Sequence, residues 1–227
     1  NYDYLIYDDN VITYKNGYIA VEIPNVYEEK NEELRACWVS SYINDFKPSI
    51  DVIEMKQELT YVLDFLESYN MNCMIFHIRT HNNAFYKTKL APIHSSYGTY
   101  ETFEKWDYLE WLIDECHKRN IEFHAWLNPY RIKLSDIPLD KTTIDVSKDY
   151  LDYPLNPASN PDNILLTYNE TSYGAILNPA KQEVQDYIVD VCMEVVRNYN
   201  VDAIHFDDYF YQKLSKVTII LLVLFRL

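Results

Sequence analysis

The sequence predicts an α/β fold of the (β/α)8 TIM-barrel type, of which this chain carries about the first four βα units. Short apolar segments alternate with helical patterns of apolar residues, the order typical of right-handed βαβ units and a parallel sheet. The apolar segments end in polar residues, and the carboxyl ends of the strands are where such barrels place their sites. Three glycines occur in 227 residues, with no GxGxxG or GxxxxGK[ST] motif, which disfavours dinucleotide-binding and P-loop folds.

Short apolar segments and helical patterns follow one another along the chain, and each is assigned to a strand or a helix. The predicted barrel strands are 34–43, 71–79, 121–128 and 201–211, and the predicted helices are 49–69, 106–119 and 179–199. Each helix carries apolar residues at helical spacing on one side. The last helix is expected to begin at Asn178-Pro179, an N-cap followed by a first-turn proline. Prolines interrupt residues 132–175, so this long connection is expected to be a functional lid or disordered.

Three regions are predicted along the chain. Residues 1–33 form an N-terminal extension, with a hairpin that turns at Asn16-Gly17. Residues 34–211 form the N-terminal half of the barrel. Residues 212–227 form an atypical apolar tail, whose run from Val217 to Phe225 is shorter than the roughly 17–25 residues that a bilayer requires. The tail leads us to expect a chain truncated after the fourth strand, with the barrel left unclosed.

Composition limits the partners. Twenty Lys and Arg against 35 Asp and Glu give a net charge of −15 without a basic cluster, which disfavours nucleic acid and anionic membranes. A neutral or cationic substrate such as a sugar polymer fits better. No transmembrane segment or signal peptide is predicted, and the oligomeric state is unknown. The cysteines form no CxxC motif and are expected to be buried thiols; they are Cys37, Cys73, Cys116 and Cys192.

Polar residues in the last three predicted strands fall on one face of the sheet. Successive side chains of a strand point to opposite faces, so we expect these residues to share the face that looks into the barrel: His77 and Arg79, then His124, Trp126 and Asn128, then His205 and Asp207. Arg131 lies just beyond the third strand. A lone histidine in a strand is more often a core residue with its hydrogen bonds made than a functional residue. Three strands that repeat the arrangement favour a site.

The types of residue at these positions suggest a sugar site. No HExxH or GxSxG motif is present, so no metal or cofactor is predicted and nucleophilic serine chemistry has little support. Aromatic rings stack on sugar rings, while Asn, Arg and His bind hydroxyls. Asp207 is therefore the principal catalytic candidate. Asp208 is a second one, although it faces the other way.

Four segments together resemble the glycoside-hydrolase-like family GHL10 (the DUF187 group). They are Leu34–Val39, Phe76–Arg79 through Phe85-Tyr86, His124–Arg131, and Ile204–Tyr211. The resemblance implies a (β/α)8 barrel that acts on glycans and, from characterised relatives, an extracellular or cell-envelope location with activity on peptidoglycan-type strands. The positions that match its motifs are Asp207, Arg79, His124, Asn128, Arg131 and His205. The family more often has Gln at His77.

Three functions remain in competition. The first is a glycosidase with Asp207 as nucleophile or base and with a substrate-binding set that comprises Arg79, His77, His124, Trp126, Asn128, Arg131, His205 and Tyr209. The second is a glycan-binding barrel without hydrolysis, or an inactive fragment. The third is a metal-dependent hydrolase that uses His77, His124 and His205. Glycosidases need two carboxylates, and related barrels take the second from a later strand. The truncated chain itself is therefore expected to be inactive.

Overall fold

The computed structural model describes residues 2–14, 17–26, 32–41, 43–135, 139, 146–168, 173–207 and 224–226. Their contacts divide the chain into a unit of residues 1–34 and a unit of residues 35–227. Asp208, Tyr209 and most of the apolar tail lie outside the described residues. None of the helices in the described ranges is long and apolar enough to cross a membrane.

The N-terminal unit consists of short antiparallel strands. They are β1 (Tyr2–Tyr4), β2 (Ile6–Tyr7), β3 (Asn10–Val11) and β4 (Glu22–Pro24). Strand β1 pairs with β4, and β2 pairs with β3 through a turn in which Asp8 and Asp9 have positive φ. Thr13 and Ala20 form an antiparallel bridge. The turn predicted between them at Asn16 lies outside the described residues.

The second unit is built on a parallel sheet, which confirms the predicted fold class. Its parallel strands are β5 (Ala36–Val39), β6 (Cys73–Arg79), β7 (Glu122–Leu127) and, after the elements described below, β11 (Ala203–His205). They lie side by side in chain order, as successive right-handed βαβ units require. The short strand β12 (Leu224–Arg226) adds antiparallel to β11. The described part of the chain is therefore a partial (β/α) barrel.

The helices connect these strands and cover their outward face. They are α1 (Val52–Ser68), α2 (Tyr100–Lys105), α3 (Tyr108–Lys118) and α4 (Gln182–Asn198). Asp51 and Asp107 cap α1 and α3, each accepting two backbone N–H groups. Helix α4 begins later than predicted, with Lys181 as its N-cap. Asn178 instead accepts the backbone N–H of Ala180 in the preceding turn.

The connection between β7 and α4 is more ordered than the sequence predicted. Three strands there form an antiparallel sheet in the order β8, β10, β9; they are β8 (Arg131–Ser135), β9 (Ile164–Tyr168) and β10 (Tyr173–Leu177). Short 3-10 turns precede β9, where Asn156 and Asn160 each cap a turn with proline in its first positions. The prolines therefore start these turns, and the described parts of 132–175 are not disordered; a lid function for this connection stays a prediction.

The core lies between the outward face of the parallel sheet and the helices. Outward-facing side chains such as Met74, Phe76 and Phe123 belong to one apolar cluster with helix residues such as Leu63 and Leu112. All four cysteines are free thiols; Cys73 and Cys116 are buried, whereas Cys37 and Cys192 are only partly so. Helix packing on one face leaves the other face of the sheet for the side chains that point into the barrel.

Candidate active site

The inward face of the sheet is set by the register of its strands. His77, Trp126 and His205 occupy one row across β6, β7 and β11, where backbone pairing aligns them. The next row toward the amino ends of the strands contains Trp38, Ile75, His124 and Ala203. The two imidazoles and the indole of the upper row lie on the face that strand alternation predicts.

Aromatic contacts hold the upper row together. The rings of His77 and Trp126 stack with centroids 3.7 Å apart at an angle of 7°, and the ring of His205 meets Trp126 edge-on at 6.4 Å. The indole N–H of Trp38 donates to Nε2 of His205 across 3.2 Å. His205 is therefore an acceptor at that nitrogen, which places the proton of its neutral ring on Nδ1.

Trp38 is a site residue that the sequence argument missed. Its side chain is 55% exposed on the inward face, which leaves an aromatic surface open beside His205. The alternation rule was applied to the last three strands and not to the first. Applied to residues 34–43, the rule places Trp38 on the face opposite Cys37 and Val39. The alternation of that segment could therefore have identified Trp38 from the sequence.

A hydrogen-bonded chain leads from the sheet to Asp207. Nδ2 of Asn128 donates to Oδ1 of Asp207 across 2.6 Å, and Oδ1 of Asn128 lies 2.7 Å from Nε2 of His77. An ionised carboxylate accepts only, so the amide nitrogen of Asn128 faces Asp207 and its oxygen faces His77. His77 must then carry its proton on Nε2. The buried amide fixes both the carboxylate and the tautomer of the imidazole.

The imidazoles of this region are held neutral. Burial lowers the pKa of His77 to about 3, with Asn128 and Arg131 as smaller influences of opposite sign. Burial also lowers the pKa of His205, while the charge of Asp207 partly offsets the effect. Near neutral pH these rings therefore act as hydrogen-bonding groups and not as cations.

Arg79 does not lie on the inward face, and its predicted position was wrong. The pairing of β6 with β7 runs from His77 opposite Trp126 to Arg79 opposite Leu127, so one extra residue is inserted in β6. Such a bulge reverses the alternation beyond it. Arg79 consequently points into the helix layer, where it is fully buried and its guanidinium lies over the ring of Tyr187.

Arg79 instead belongs to a buried polar network. It donates to Asn82 and, across 3.1 Å, to the hydroxyl of Tyr187 on α4. Nδ2 of Asn82 donates to Asn156 across 2.9 Å, and Nδ2 of Asn156 donates to the Tyr187 hydroxyl across 2.7 Å. The network ties the loop after β6 to α4 and to the turns before β9. Its role is to position these segments.

Of the remaining residues predicted for the site, some lie on the inward face of the sheet and others lie beyond its strands. Arg131 is buried and close enough to His77 and His81 to lower the pKa of both. His124 lies on the inward face, one row below His77 and His205, and Nε2 contacts Glu122 at 3.1 Å. The structure therefore brings Asn128 and His205 to Asp207, while Arg79 lies elsewhere. The roles of all these residues in binding or catalysis stay predictions.

One group near the amino ends of the strands could hold a metal ion. Cys73, Glu122 and His124 offer ligand atoms that all lie within 4.8 Å of one another. This group is separate from the row that leads to Asp207. It combines the thiolate, carboxylate and imidazole donors that zinc accepts.

Fold and site define the class of protein. A partial (β/α) barrel carries a carboxylate at the carboxyl ends of its strands, flanked by an amide, imidazoles and indoles, which is the arrangement of a glycoside-hydrolase-like domain. The chain belongs to the family described as Glycosyl hydrolase-like 10, which matches residues 33–218. The resemblance inferred from the sequence motifs is thereby confirmed.

Two curated relatives are named as glycosyl hydrolases. Glycosyl hydrolase YngK of Bacillus subtilis (strain 168) is 36% identical over 202 residues, which cover 86% of this chain and 37% of that protein. Glycosyl hydrolase DigH of Escherichia coli (strain K12) is 28% identical over 200 residues, covering 83% of this chain and 44% of that protein. The chain thus matches less than half the length of these relatives.

Solved structures give weaker similarities. A hypothetical protein from Ruminiclostridium thermocellum superposes with a TM-score of 0.43 and 14% identity, covering 66% of this chain and 69% of that chain. An α-galactosidase from Thermus thermophilus superposes with a TM-score of 0.39 and 14% identity, covering 77% of this chain and 31% of that one.

Proposed function

We propose that this chain is part of a glycoside hydrolase that acts on a polysaccharide, with Asp207 as the principal carboxylate. The observation that carries the proposal is the hydrogen bond from the Asn128 amide to the Asp207 carboxylate. It supports a carboxylate held in a fixed orientation at the carboxyl end of the sheet. Preorganised groups of this kind are what glycosidic cleavage requires.

Asp207 suits the role of nucleophile or stabilising base better than that of general acid. Its Oδ1 accepts a hydrogen bond from the Asn128 amide, which is the role of a carboxylate oxygen. An ionised carboxylate can stabilise the positive charge that develops at the sugar, whereas a second, protonated carboxyl group must protonate the leaving oxygen. That second group is not identified among the described residues.

The substrate we propose is a cell-wall glycan of the peptidoglycan type, and the location is the cell envelope or the exterior. Membership of the family supports both proposals, and the open aromatic surface of Trp38 supports a glycan substrate. A glycan strand can stack a sugar ring on an exposed indole and exchange hydroxyl hydrogen bonds with neutral imidazoles. The 227-residue chain alone is proposed to bind and not to hydrolyse.

The test uses the complete protein and isolated glycan strands. Asp207→Asn should abolish the release of reducing ends and leave the affinity for the glycan within about twofold, because the amide retains shape and hydrogen-bonding capacity. The matched control is Asp190→Asn, which changes an exposed aspartate on α4. Near-normal turnover of Asp207→Asn would remove Asp207 from the mechanism.

A non-hydrolytic glycan-binding barrel is the second candidate. The exposed indole of Trp38 favours it, since an aromatic platform serves binding without any chemistry. The same assay separates the two functions. A binding protein would retain glycan on a pull-down column and release no reducing ends, with or without Asp207.

A further inference from the structure

A thiol, a carboxylate and an imidazole meet near the amino ends of β6 and β7. Cys73 begins β6 and Glu122 begins β7, and backbone pairing places the two residues side by side. His124 follows two positions later on β7, so its side chain lies on the same face as that of Glu122. The ligand atoms of all three side chains lie within 4.8 Å of one another. Asp207 follows the carboxyl end of β11, so this group lies at the opposite end of the parallel strands from the candidate active site.

Backbone hydrogen bonds fix the strand ends that carry these donors. The N–H of Glu122 donates to the carbonyl of Asn72 across 2.9 Å. Phe123 lies between the two donors of β7, and its N–H donates to Oδ2 of Asp202 across 2.7 Å. The carbonyl of Phe123 accepts the backbone N–H of Asp202 across 2.9 Å. Ligands that are held on a rigid backbone lose little conformational entropy when they bind an ion.

The contact between His124 and Glu122 already has nearly the spacing of two metal ligands. Nε2 of His124 lies 3.1 Å from Oε2 of Glu122. A carboxylate only accepts, so the imidazole proton lies between these two atoms. In a tetrahedral zinc site, bonds of about 2.0–2.3 Å set neighbouring ligand atoms about 3.4–3.6 Å apart. A zinc ion can therefore replace the shared proton with a small change in this distance, and the neutral ring then carries its proton on Nδ1.

The remaining distances can shorten without loss of other contacts. Separations of at most 4.8 Å must decrease by about 1 Å to match the ligand spacing of zinc. Nδ1 of His124 is buried and bonds to none of the described residues, so the ring can shift toward an ion. The side chain of Glu122 is 34% exposed, which gives it freedom to rotate. The same exposure provides an entry path for a cation and room for a water ligand.

The types of donor select zinc over the harder divalent cations. Calcium and magnesium prefer oxygen ligands, whereas thiolate and imidazole favour zinc. One thiolate and one carboxylate balance the two positive charges of the ion. Cys73 is completely buried and His124 almost so, and a site without net charge is the kind that a buried position accommodates at low cost.

We propose that Cys73, Glu122 and His124 bind one zinc ion, with water as the fourth ligand, and that the ion joins β6 to β7. On binding, the Cys73 thiol loses its proton to solvent and coordinates as the thiolate. The role is structural, since the amino ends of barrel strands contribute to stability and the carboxyl ends carry the chemistry. His124, which the sequence pattern assigned to substrate binding, then serves as a metal ligand instead.

The first test titrates zinc into the complete protein after dialysis against a chelator. Calorimetry should show one equivalent bound in the micromolar range or tighter, and magnesium should give no saturable binding. Cys73→Ser should weaken zinc binding at least about 100-fold, because a serine hydroxyl is a poor ligand for zinc at neutral pH. The matched control is Cys116→Ser, which alters another buried thiol outside the group. Absence of saturable zinc binding up to about 100 μM, or equal affinity in both variants, would overturn the proposal.

Cobalt(II) gives a second measurement that needs no variant. Cobalt takes the same ligands as zinc, and a thiolate bound to cobalt produces a charge-transfer absorption in the near ultraviolet. We expect this band to saturate at one equivalent in the unaltered protein and to disappear when zinc is added. Cobalt that binds without this band would show that Cys73 is not a ligand.

Glu122→Gln tests the carboxylate with little change of shape. We expect at least about tenfold weaker zinc binding, because the amide oxygen carries no charge. Glu183→Gln, which alters an exposed glutamate on α4, should bind zinc as the unaltered protein does. Equal affinity in the two glutamine variants would remove Glu122 from the site.

Thermal unfolding tests the structural role. Zinc at about 100-fold above its Kd should raise the melting temperature of the unaltered protein by a few degrees and leave that of Cys73→Ser unchanged. Below the melting temperature, glycan hydrolysis by the complete protein should be the same with and without zinc. A loss of turnover on removal of zinc, at an unchanged melting temperature, would refute the structural role.

Discussion

We expect the buried imidazole of His77 to make the folded chain less stable at acidic pH. Its side chain is 2% exposed, and burial lowers its pKa from the ordinary 6.5 to about 3. Between these values the unfolded chain binds a proton that the folded chain does not. The free energy of unfolding therefore rises with pH in this window, and it falls by about 1.4 kcal/mol for each unit of acidification.

His77→Gln removes the titration and keeps the hydrogen bond, because the glutamine amide can still donate to Oδ1 of Asn128. Over the roughly 1.5 units between pH 6.5 and pH 5, the native chain should lose about 2 kcal/mol more of its free energy of unfolding than the variant loses. Urea denaturation at about pH 7 and about pH 5, followed by tryptophan fluorescence, measures the two losses. Other titrating groups are common to both proteins and cancel.

Two further variants define the result. His117→Gln removes a partly exposed imidazole on α3 together with its 2.9 Å contact to Asp202, and it shows what the loss of a surface histidine with a carboxylate partner does to the same two measurements. His81→Gln should behave like His77→Gln above about pH 4, since the pKa of His81 is lowered to about 4 by burial. If native chain and His77→Gln lose the same free energy between the two pH values, the assignment of the acid lability to His77 is refuted.

Three other changes test the framework of the site. Asn128→Ala should lower the free energy of unfolding by about 2–4 kcal/mol in urea titrations, because one charged and one neutral hydrogen bond are lost. Arg79→Lys should destabilise the chain more than Arg79→Met, since lysine keeps the buried charge with fewer donors toward Tyr187; the reverse order in melting temperature would argue against the network. Gly98→Ala should cost about 1–3 kcal/mol by thermal unfolding, as Gly98 has φ +93° and a Cβ there would lie 2.5 Å from Thr102; an unchanged melting temperature would contradict this.

The sequence predicted the parallel sheet and most of its inward face because both depend on local patterns. Alternation within a strand fixes which side chains share a face, and His77, Trp126 and His205 lie on the same row as a consequence. The order of strands follows from the short, right-handed connections of βαβ units. Neither inference requires knowledge of distant contacts.

The antiparallel sheet between β7 and α4 escaped prediction because its signals compete with turn signals. Pro157 and Pro161 suggested a lid or a disordered connection, but each is a first-turn proline that follows an asparagine cap. Strands β9 (Ile164–Tyr168) and β10 (Tyr173–Leu177) are five residues each. Segments this short are told from loops only by the partner with which they pair.

The bulge in β6 explains how a residue predicted to bind substrate serves the site from the other side of the sheet. One inserted residue turns the side chain of Arg79 toward Tyr187, and sequence alternation carries no trace of it. The carbonyl of Arg79 accepts the backbone N–H of Asn128 across 2.8 Å. The side chain of Asn128, in turn, holds Asp207. Because the guanidinium is anchored in the helix layer, the bulge and the amide that orients the carboxylate are fixed together, so Arg79 acts on the proposed catalytic group through the backbone.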